Sequence, residues 1–402
     1  MRILLVTEDL PMRQAGGLAK HAVTLGNALI EAGHHVDLMG RSDRSYADSA
    51  PEIGFKGNFI SGFDLSRSNW KEHRLGFFIP MKRPALAGRI CAAINACASR
   101  YDAVHYHGHL PMVGSAVDPA VNFVQTRHDQ GSECVTHLRF KLGAVCDDID
   151  PRSCASCIHP SPGTVRTAIS AAAVRRYREE TEKCFATRKV IFVSDFLRRQ
   201  FQRAVPGARL SSASVIHNFI DLRRLRTAAG EARSPISDVL VAGRIDVGKG
   251  IGEFLAHVPA LFPRGIRVSV VGDGPYRARY EADFASPQVS FLGWRPYPDV
   301  VQRTRSARVC VVPSTCEEAC STTVLEALAL GRPCVALARG GTPELLRYQR
   351  FEGQLRLVAS MRELATTAID LAEEASGMED IPSQFEADVH VAAQKIVEVY
   401  SQ

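Results

Sequence analysis

The stretch Val309-Cys310-Val311-Val312-Pro313-Ser314-Thr315-Cys316-Glu317-Glu318-Ala319-Cys320-Ser321-Thr322-Thr323-Val324-Leu325-Glu326-Ala327-Leu328-Ala329-Leu330-Gly331-Arg332-Pro333 sets the fold. Its first four residues are a short apolar run, the habit of a strand buried on both faces of a parallel sheet. Polar residues then make a loop, and Val324, Leu325 and Leu328 resume at helical spacing over 323–330 until Gly331 stops the helix. A second apolar run at 334–337 completes a strand–loop–helix–strand unit.

The same rhythm extends outward. Strand-like runs precede it at 238–242, 268–271 and 289–292, and in the first half at 3–6, 35–39, 77–79, 103–105, 121–124 and 190–193. A helix over 18–32 places Leu18, Ala22, Leu25 and Leu29 on one face and ends at Gly33. The rhythm fades between 219 and 237, and 222–235 reads as an inter-domain connection. The expected fold is α/β, with two Rossmann-like parallel-sheet domains, 1–218 and 219–388. Ligands of such sheets lie beyond the carboxyl ends of the strands, so chemistry is sought in the loops there.

Composition excludes several classes. The 402 residues are 46% hydrophobic and 23% charged, which suits an ordinary soluble protein. The net charge of +6 favours an anionic ligand and is too weak to imply nucleic acid. No apolar run approaches membrane-span length. The opening apolar run is too short for a secretion signal, so the eleven cysteines read as reduced thiols or metal ligands in a cytoplasm.

Four loops of the second half carry candidate chemistry. Gly243-Arg244-Ile245-Asp246-Val247-Gly248-Lys249-Gly250 offers a guanidinium fork, a point charge and close backbone approach. These are the parts of a diphosphate cradle, though a solvated turn with two surface cations has the same spelling. Gly272-Asp273-Gly274 is a glycine turn, and Gly293-Trp294 could lay backbone against a planar base. In the fourth loop, Glu318 precedes the helix and Glu326 lies about one turn inside it. Free N–H groups between them would receive phosphate oxygens, and the carboxylates would accept sugar hydroxyls. Thr323-x-x-Glu326 also fits a capping box that needs no ligand.

Together these motifs, with Gly16-Gly17, Val193-Ser194 and His217-Asn218-Phe219-Ile220-Asp221, resemble the retaining glycosyltransferase family 4, of GT-B architecture, over nearly the whole chain. The resemblance implies two domains facing a cleft, with a final helix over 389–402 crossing back to the first. It implies that Arg244 and Lys249 clasp the diphosphate of a nucleotide-sugar donor, that Glu318 contacts sugar hydroxyls and that Glu326 takes the ribose. Gly16 and Gly17 would border the phosphate, with Gly243, Gly272, Gly274 and Gly293 lining the donor site. His128, after the run at 121–124, is similar to the family's active-site histidine; alone it would read as a loop-packing residue. Ala319-Cys320-Ser321 stands where many members carry Gly-Phe-Gly, leaving the N–H groups of these residues and Thr322 to the phosphate but the donor sugar open.

Other features compete for attention. Cys134, Cys146, Cys154 and Cys157 fall in one loop-like region, and the closing C-x2-C suits a structural zinc; reduced unliganded thiols and redox or iron–sulfur chemistry are the alternatives. His105, His107 and His109 could ligate metal, but an extended segment gathers neighbours less well than a helix, so packing is the reading kept. Asp148-Ile149-Asp150 spells D-x-D, a metal–nucleotide motif of another transferase fold, here stranded among cysteines. The run 174–183 reads as a solvated helix face, and Arg198, Arg199 and Arg203 could meet an anionic acceptor or a membrane surface.

The expected reaction is sugar transfer with retention from a nucleotide diphosphate sugar, UDP favoured, to a hydroxyl of a glycan, lipid-linked intermediate or small natural product. No cofactor or divalent metal is needed for catalysis if the cations and helix start offset the leaving charge. A GT-B epimerase or phosphorylase, or a non-catalytic nucleotide-sugar binder, are the alternatives.

Overall fold

The computed structural model describes residues 1–11, 16–44, 54–65, 83–157, 163–210, 212–230, 237–374 and 380–402. The chain divides into two compact units. The first comprises Met1–Arg139, Asp147–His217 and Val389–Gln402; the second comprises Phe140–Cys146 and Asn218–Asp388.

In chain order the first unit contains β1 (Arg2–Thr7), β2 (His35–Arg41), β3 (Asn58–Phe63), β4 (Ala103–His107) and β5 (Phe123–Arg127). The short antiparallel hairpin β6 (Phe140–Lys141) and β7 (Ala144–Val145) belongs to the second unit, and β8 (Lys189–Phe192) and β9 (Ser212–Val215) return to the first. Seven strands form one sheet in the order β3-β2-β1-β4-β5-β8-β9, every pair parallel. Ile3, Leu4, Leu5 and Val6 are wholly buried, which is why β1 has no polar alternation. The helix Arg83–Asn95 sets Ile90, Cys91 and Ile94 into one core cluster with Leu4, Val6, Val104 and Tyr106. The helix Gly17–Glu31 packs on the helix Val389–Ser401. The chain runs outward from β1 to β3 and then returns to β4, so the direction of winding reverses between β1 and β4.

The second unit continues with β10 (Ser237–Ala242), β11 (Val268–Val271), β12 (Val289–Gly293), β13 (Ala307–Val312), β14 (Cys334–Leu337) and β15 (Leu355–Val358). Its sheet has the order β12-β11-β10-β13-β14-β15, again parallel, with the reversal between β10 and β13. Val239, Val241, Val309 and Val311 fill its core. The helix Thr322–Ala329 follows β13.

Two sequence expectations change. The stretch read as a connection contains the helix Leu222–Ala229, capped by the Asp221 carboxylate, which accepts the Arg224 N–H at 2.9 Å. Leu222, Leu225, Ala228 and Ala229 are buried, and the arginines between them had masked that apolar stripe. The helix starts inside the second unit, where Ile220 bridges to Asp388 and the Leu222 N–H bonds the Asp388 carboxylate at 3.1 Å. The strand expected at 77–79 lies outside the described residues, whereas β3, β9 and β15 were not foreseen. No described helix is long and apolar enough to cross a membrane.

Candidate active site

In the second unit, the loops after β10 and β13 meet at the point of reversal. Lys249 Nζ lies 2.5 Å from Glu318 Oε1, and the Ser314 hydroxyl donates to the same oxygen at 2.6 Å. Burial raises the Glu318 pKa, but the Lys249 charge and the two hydrogen bonds outweigh it and hold the carboxyl below its usual range. Burial likewise opposes the Lys249 charge, and Glu318 then overcomes it, so the lysine pKa is raised. The pair is a fixed ammonium and carboxylate at neutral pH.

Backbone proximity builds the rest of this loop pair. Gly250 sits at φ +62, and a Cβ there would come within 2.0 Å of the Pro313 carbonyl oxygen. Gly272, at φ +141, would collide with the Gly243 carbonyl at 1.8 Å, and a Cβ on Gly274 would lie 2.3 Å from the Ile245 carbonyl. These glycines draw three loops to van der Waals distance. Gly293 ends β12 at φ +70 against the Arg277 guanidinium. Cys316 N–H bonds the Gly248 carbonyl at 2.9 Å, and Asn218 Nδ2 donates to the Cys320 carbonyl at 2.8 Å. Sequence reasoning gave Ser314 and Asn218 no individual role.

Other site residues behave differently from expectation. Arg244 does not join the Lys249–Glu318 contact; its side chain is 72% exposed, with Nε 3.4 Å from Asp246. Ser321 is the N-cap of the helix Thr322–Ala329 and makes no side-chain cap bond, so Thr323-x-x-Glu326 is out of register for a capping box. Glu326 instead hydrogen-bonds Tyr297, whose phenol is raised first by burial and then by that carboxylate. The Arg224 guanidinium lies 4.2 Å from the centre of the Tyr297 ring. Beside the open helix start, Ala319 is half-buried, Cys320 is buried with its thiol pushed up to about 12, and Thr322 is exposed.

In the first unit, the ends of β1, β4 and β5 hold a cluster rich in histidine. Glu8 accepts the Tyr106 hydroxyl at 2.7 Å and the His109 N–H at 2.6 Å. Arg127, fully buried, donates to the Gly108 carbonyl at 2.9 Å and to Ser132 Oγ at 3.1 Å, joining the loops after β4 and β5. His109 Nδ1 lies 2.8 Å from Asp129. Burial lowers the His109 pKa, but Asp129 and Asp9 reverse this and raise it well above 6.5. His128 Nε2 lies 3.1 Å from His107 Nδ1, and its ring meets His21 edge-on at 4.5 Å. Burial, then His21 and His107, lower the His128 pKa, so it is a neutral imidazole. Gly16 caps the helix Gly17–Glu31, and a Cβ on it would lie 3.8 Å from Asp9 Oδ2; Gly17 faces open space.

His105 and His107 are two apart on one strand and therefore share a face, with ring centres 4.1 Å apart. The idea that an extended segment separates them is corrected by that alternation. Cys134, Cys154 and Cys157 belong to the first unit and Cys146 to the second, and none is in a disulfide. Among the described residues, the groups of three or more converging metal-type ligands are His21–His107–His128 and His109–Asp129–His137. The D-x-D carboxylates act locally: Asp148 accepts the Asp150 N–H at 2.9 Å, and Asp150 caps Pro151–Ala155. The charged run 174–183 is not wholly solvated, since Tyr177 and Arg178 are buried and Arg178 Nε donates to the Glu133 carbonyl at 3.1 Å.

Residues 15–224 match the profile described as Glycosyltransferase Family 4, and 237–374 match that described as Glycosyl transferases group 1. Sulfoquinovosyl transferase SQD2 of Arabidopsis thaliana is 35% identical over 123 residues, 31% of this chain and 23% of that protein's length. Glycogen synthase of Mycobacterium tuberculosis H37Rv is 25% identical over 386 residues, 92% of this chain and 84% of that protein. Anabaena HepE, solved in complex with UDP and glucose, aligns with a TM-score of 0.59 at 18% identity, over 100% of this chain and 99% of that one. That likeness shows the GT-B fold.

Proposed function

Since the chain belongs to Glycosyltransferase Family 4, we propose that it moves a sugar, with retention, from a nucleotide diphosphate sugar to an acceptor hydroxyl. The observation that carries the reading is the Lys249–Glu318–Ser314 contact beside an uncapped helix start, at the reversal point of the second sheet. Breaking the glycosidic bond leaves growing negative charge on the departing diphosphate. Lys249 supplies a positive charge already fixed in place, and the N–H groups of the Thr322–Ala329 helix supply aligned dipoles. Arg244 is exposed and jointed to Asp246, so it is placed to swing onto the phosphates when donor arrives. Glu318 accepts a sugar hydroxyl with the oxygen lone pairs that Lys249 and Ser314 leave over. The acceptor proton passes to a phosphate oxygen as the new bond forms on the face the diphosphate leaves. His128, neutral, then serves as a hydrogen-bonding contact to the sugar, not as a charge.

Anabaena HepE, solved with UDP and glucose and with UDP-glucose, supports a uridine donor. The test is thermal shift of the intact protein against UDP-, GDP- and ADP-sugars. A ligand at 100 times its Kd stabilises the native state by about 2.7 kcal/mol. UDP-sugars should raise Tm, and Lys249→Ala should remove most of the rise. No shift with any sugar nucleotide would overturn the reading.

A further inference from the structure

We propose that Asn218 is a positioning residue for the donor diphosphate: by holding the Cys320 carbonyl it turns the Ser321 N–H toward the phosphate. The inference rests on the functional reading above and adds to it a residue that itself touches neither phosphate nor sugar.

The loop between β13 and the helix Thr322–Ala329 is gripped through its carbonyls. Arg339 Nη1 donates to the Thr315 carbonyl at 2.6 Å, the Gly341 N–H to that of Glu318 at 2.7 Å, and Asn218 Nδ2 to that of Cys320 at 2.8 Å. Close packing backs the second of these, since a Cβ on Gly340 would come within 2.3 Å of the Glu318 carbonyl oxygen. The peptides here are trans, and a trans peptide carries its C=O and N–H on opposite sides. Fixing the Glu318 and Cys320 carbonyls therefore fixes the next N–H groups, those of Ala319 and Ser321, facing the other way. Among the described residues, neither N–H has an acceptor. Ser321 is the N-cap, so its N–H is the first of the four that a helix start leaves unmet. A phosphate oxygen suits such an N–H, because a charged acceptor makes the stronger hydrogen bond.

Asn218 acts from a fixed base. Arg339 and Gly341 follow the neighbouring strand β14, whereas Asn218 lies 102 positions before Cys320. Two residues on, the Ile220 N–H bonds the Ala387 carbonyl at 2.9 Å, and the Asp221 carboxylate caps the helix Leu222–Ala229. The amide is also an uneconomical way to fill space. Its Oδ1 is buried without a partner, and an unmet buried acceptor destabilises the fold. What the amide supplies is its donor, and the bond that donor makes sets one peptide plane in the loop that carries Glu318.

The experiment is calorimetric titration of the full chain with UDP and with uridine, which share base and ribose and differ only in the diphosphate. Asn218→Leu keeps the bulk of the side chain and removes the donor; Asn218→Ala removes both. Each should weaken UDP binding about tenfold, near the lower end for a hydrogen bond to a charged group, and leave uridine binding as in the parent. A merely structural asparagine would weaken both ligands by one factor, because loss of folded protein does not tell them apart. That result overturns the proposal, as does UDP affinity unchanged in both variants. Either outcome leaves the functional reading standing, whereas a parent chain that binds no sugar nucleotide removes that reading and this inference together.

Discussion

At the scale of single residues, the Lys249–Glu318 contact makes two kinds of prediction. Lys249→Ala should lower the transfer rate by about 10²–10³, by analogy with loss of one preorganised donor at a developing anion. Circular dichroism should be unchanged, and near-normal turnover would remove the lysine from the mechanism. The pair also fixes a pH window. The lysine pKa is raised above 10.5, so its contribution to stability is full below that value and fades as pH climbs through the raised one. The glutamate pKa is lowered below 4.5, so its contribution is full above that value and fades as pH drops through the lowered one. Urea midpoints of Glu318→Gln and the parent should therefore differ by a constant amount between these limits and converge outside them. Both residues were legible in the sequence, because a strand-ending loop shows its charges. Ser314 and Tyr297 were not, since a hydroxyl acquires a role only from the carboxylate that folding brings to it. His21 was equally hidden: 107 positions separate it in the chain from His128, whose ring it meets.

At the scale of elements, legibility followed burial. The central strands β1, β10 and β13 are covered on both faces and read as apolar runs. The edge strands β3, β9 and β15 are largely half-buried, with Asn58, Ser212, Ser214 and Arg356 among their residues, and resemble loops. Glycine turns divide in the same manner between local need and close approach. Gly33 at φ +88 has nothing within 4 Å of a built Cβ, whereas Gly250 at φ +62 has the Pro313 carbonyl at 2.0 Å. Gly33→Ala should cost only backbone strain, about 1 kcal/mol. Gly250→Ala should cost several-fold more and reduce donor binding, since the Lys249 loop must lift away from β13. Equal urea midpoints for the two variants would refute that close-packing argument.

At the scale of the molecule, the two units should answer acid differently. His21, His105, His107 and His128 have lowered pKa values, so the unfolded chain binds more protons and the first unit loses stability as pH falls below 6.5. The lowered pKa of His34 adds to these four, whereas the raised pKa values of His109 and of buried Glu133, pushed up to about 8, work in the opposite direction, two groups against five. Hydrogen exchange followed from pH 7.5 to 5 should show the protection of β1, β4 and β5 falling while that of β10 and β13 holds; equal loss in both would contradict it. The parallel-sheet character of both units was legible because each buried strand carries its own signal. The meeting of the loops was not, because it depends on strand order.

The helix Val389–Ser401 buries Val389, Ile396, Val399 and Tyr400 within the first unit. The Asn122 and Lys189 side chains both donate to the Tyr400 carbonyl, at 2.8 and 3.2 Å. A ribosome therefore releases every strand of that unit well before the piece that finishes it. The intervening unit, apart from its short hairpin, is one uninterrupted stretch and has no such wait. During synthesis the later-made half is free to mature first, while the earlier-made half stays unfinished and open to chaperones.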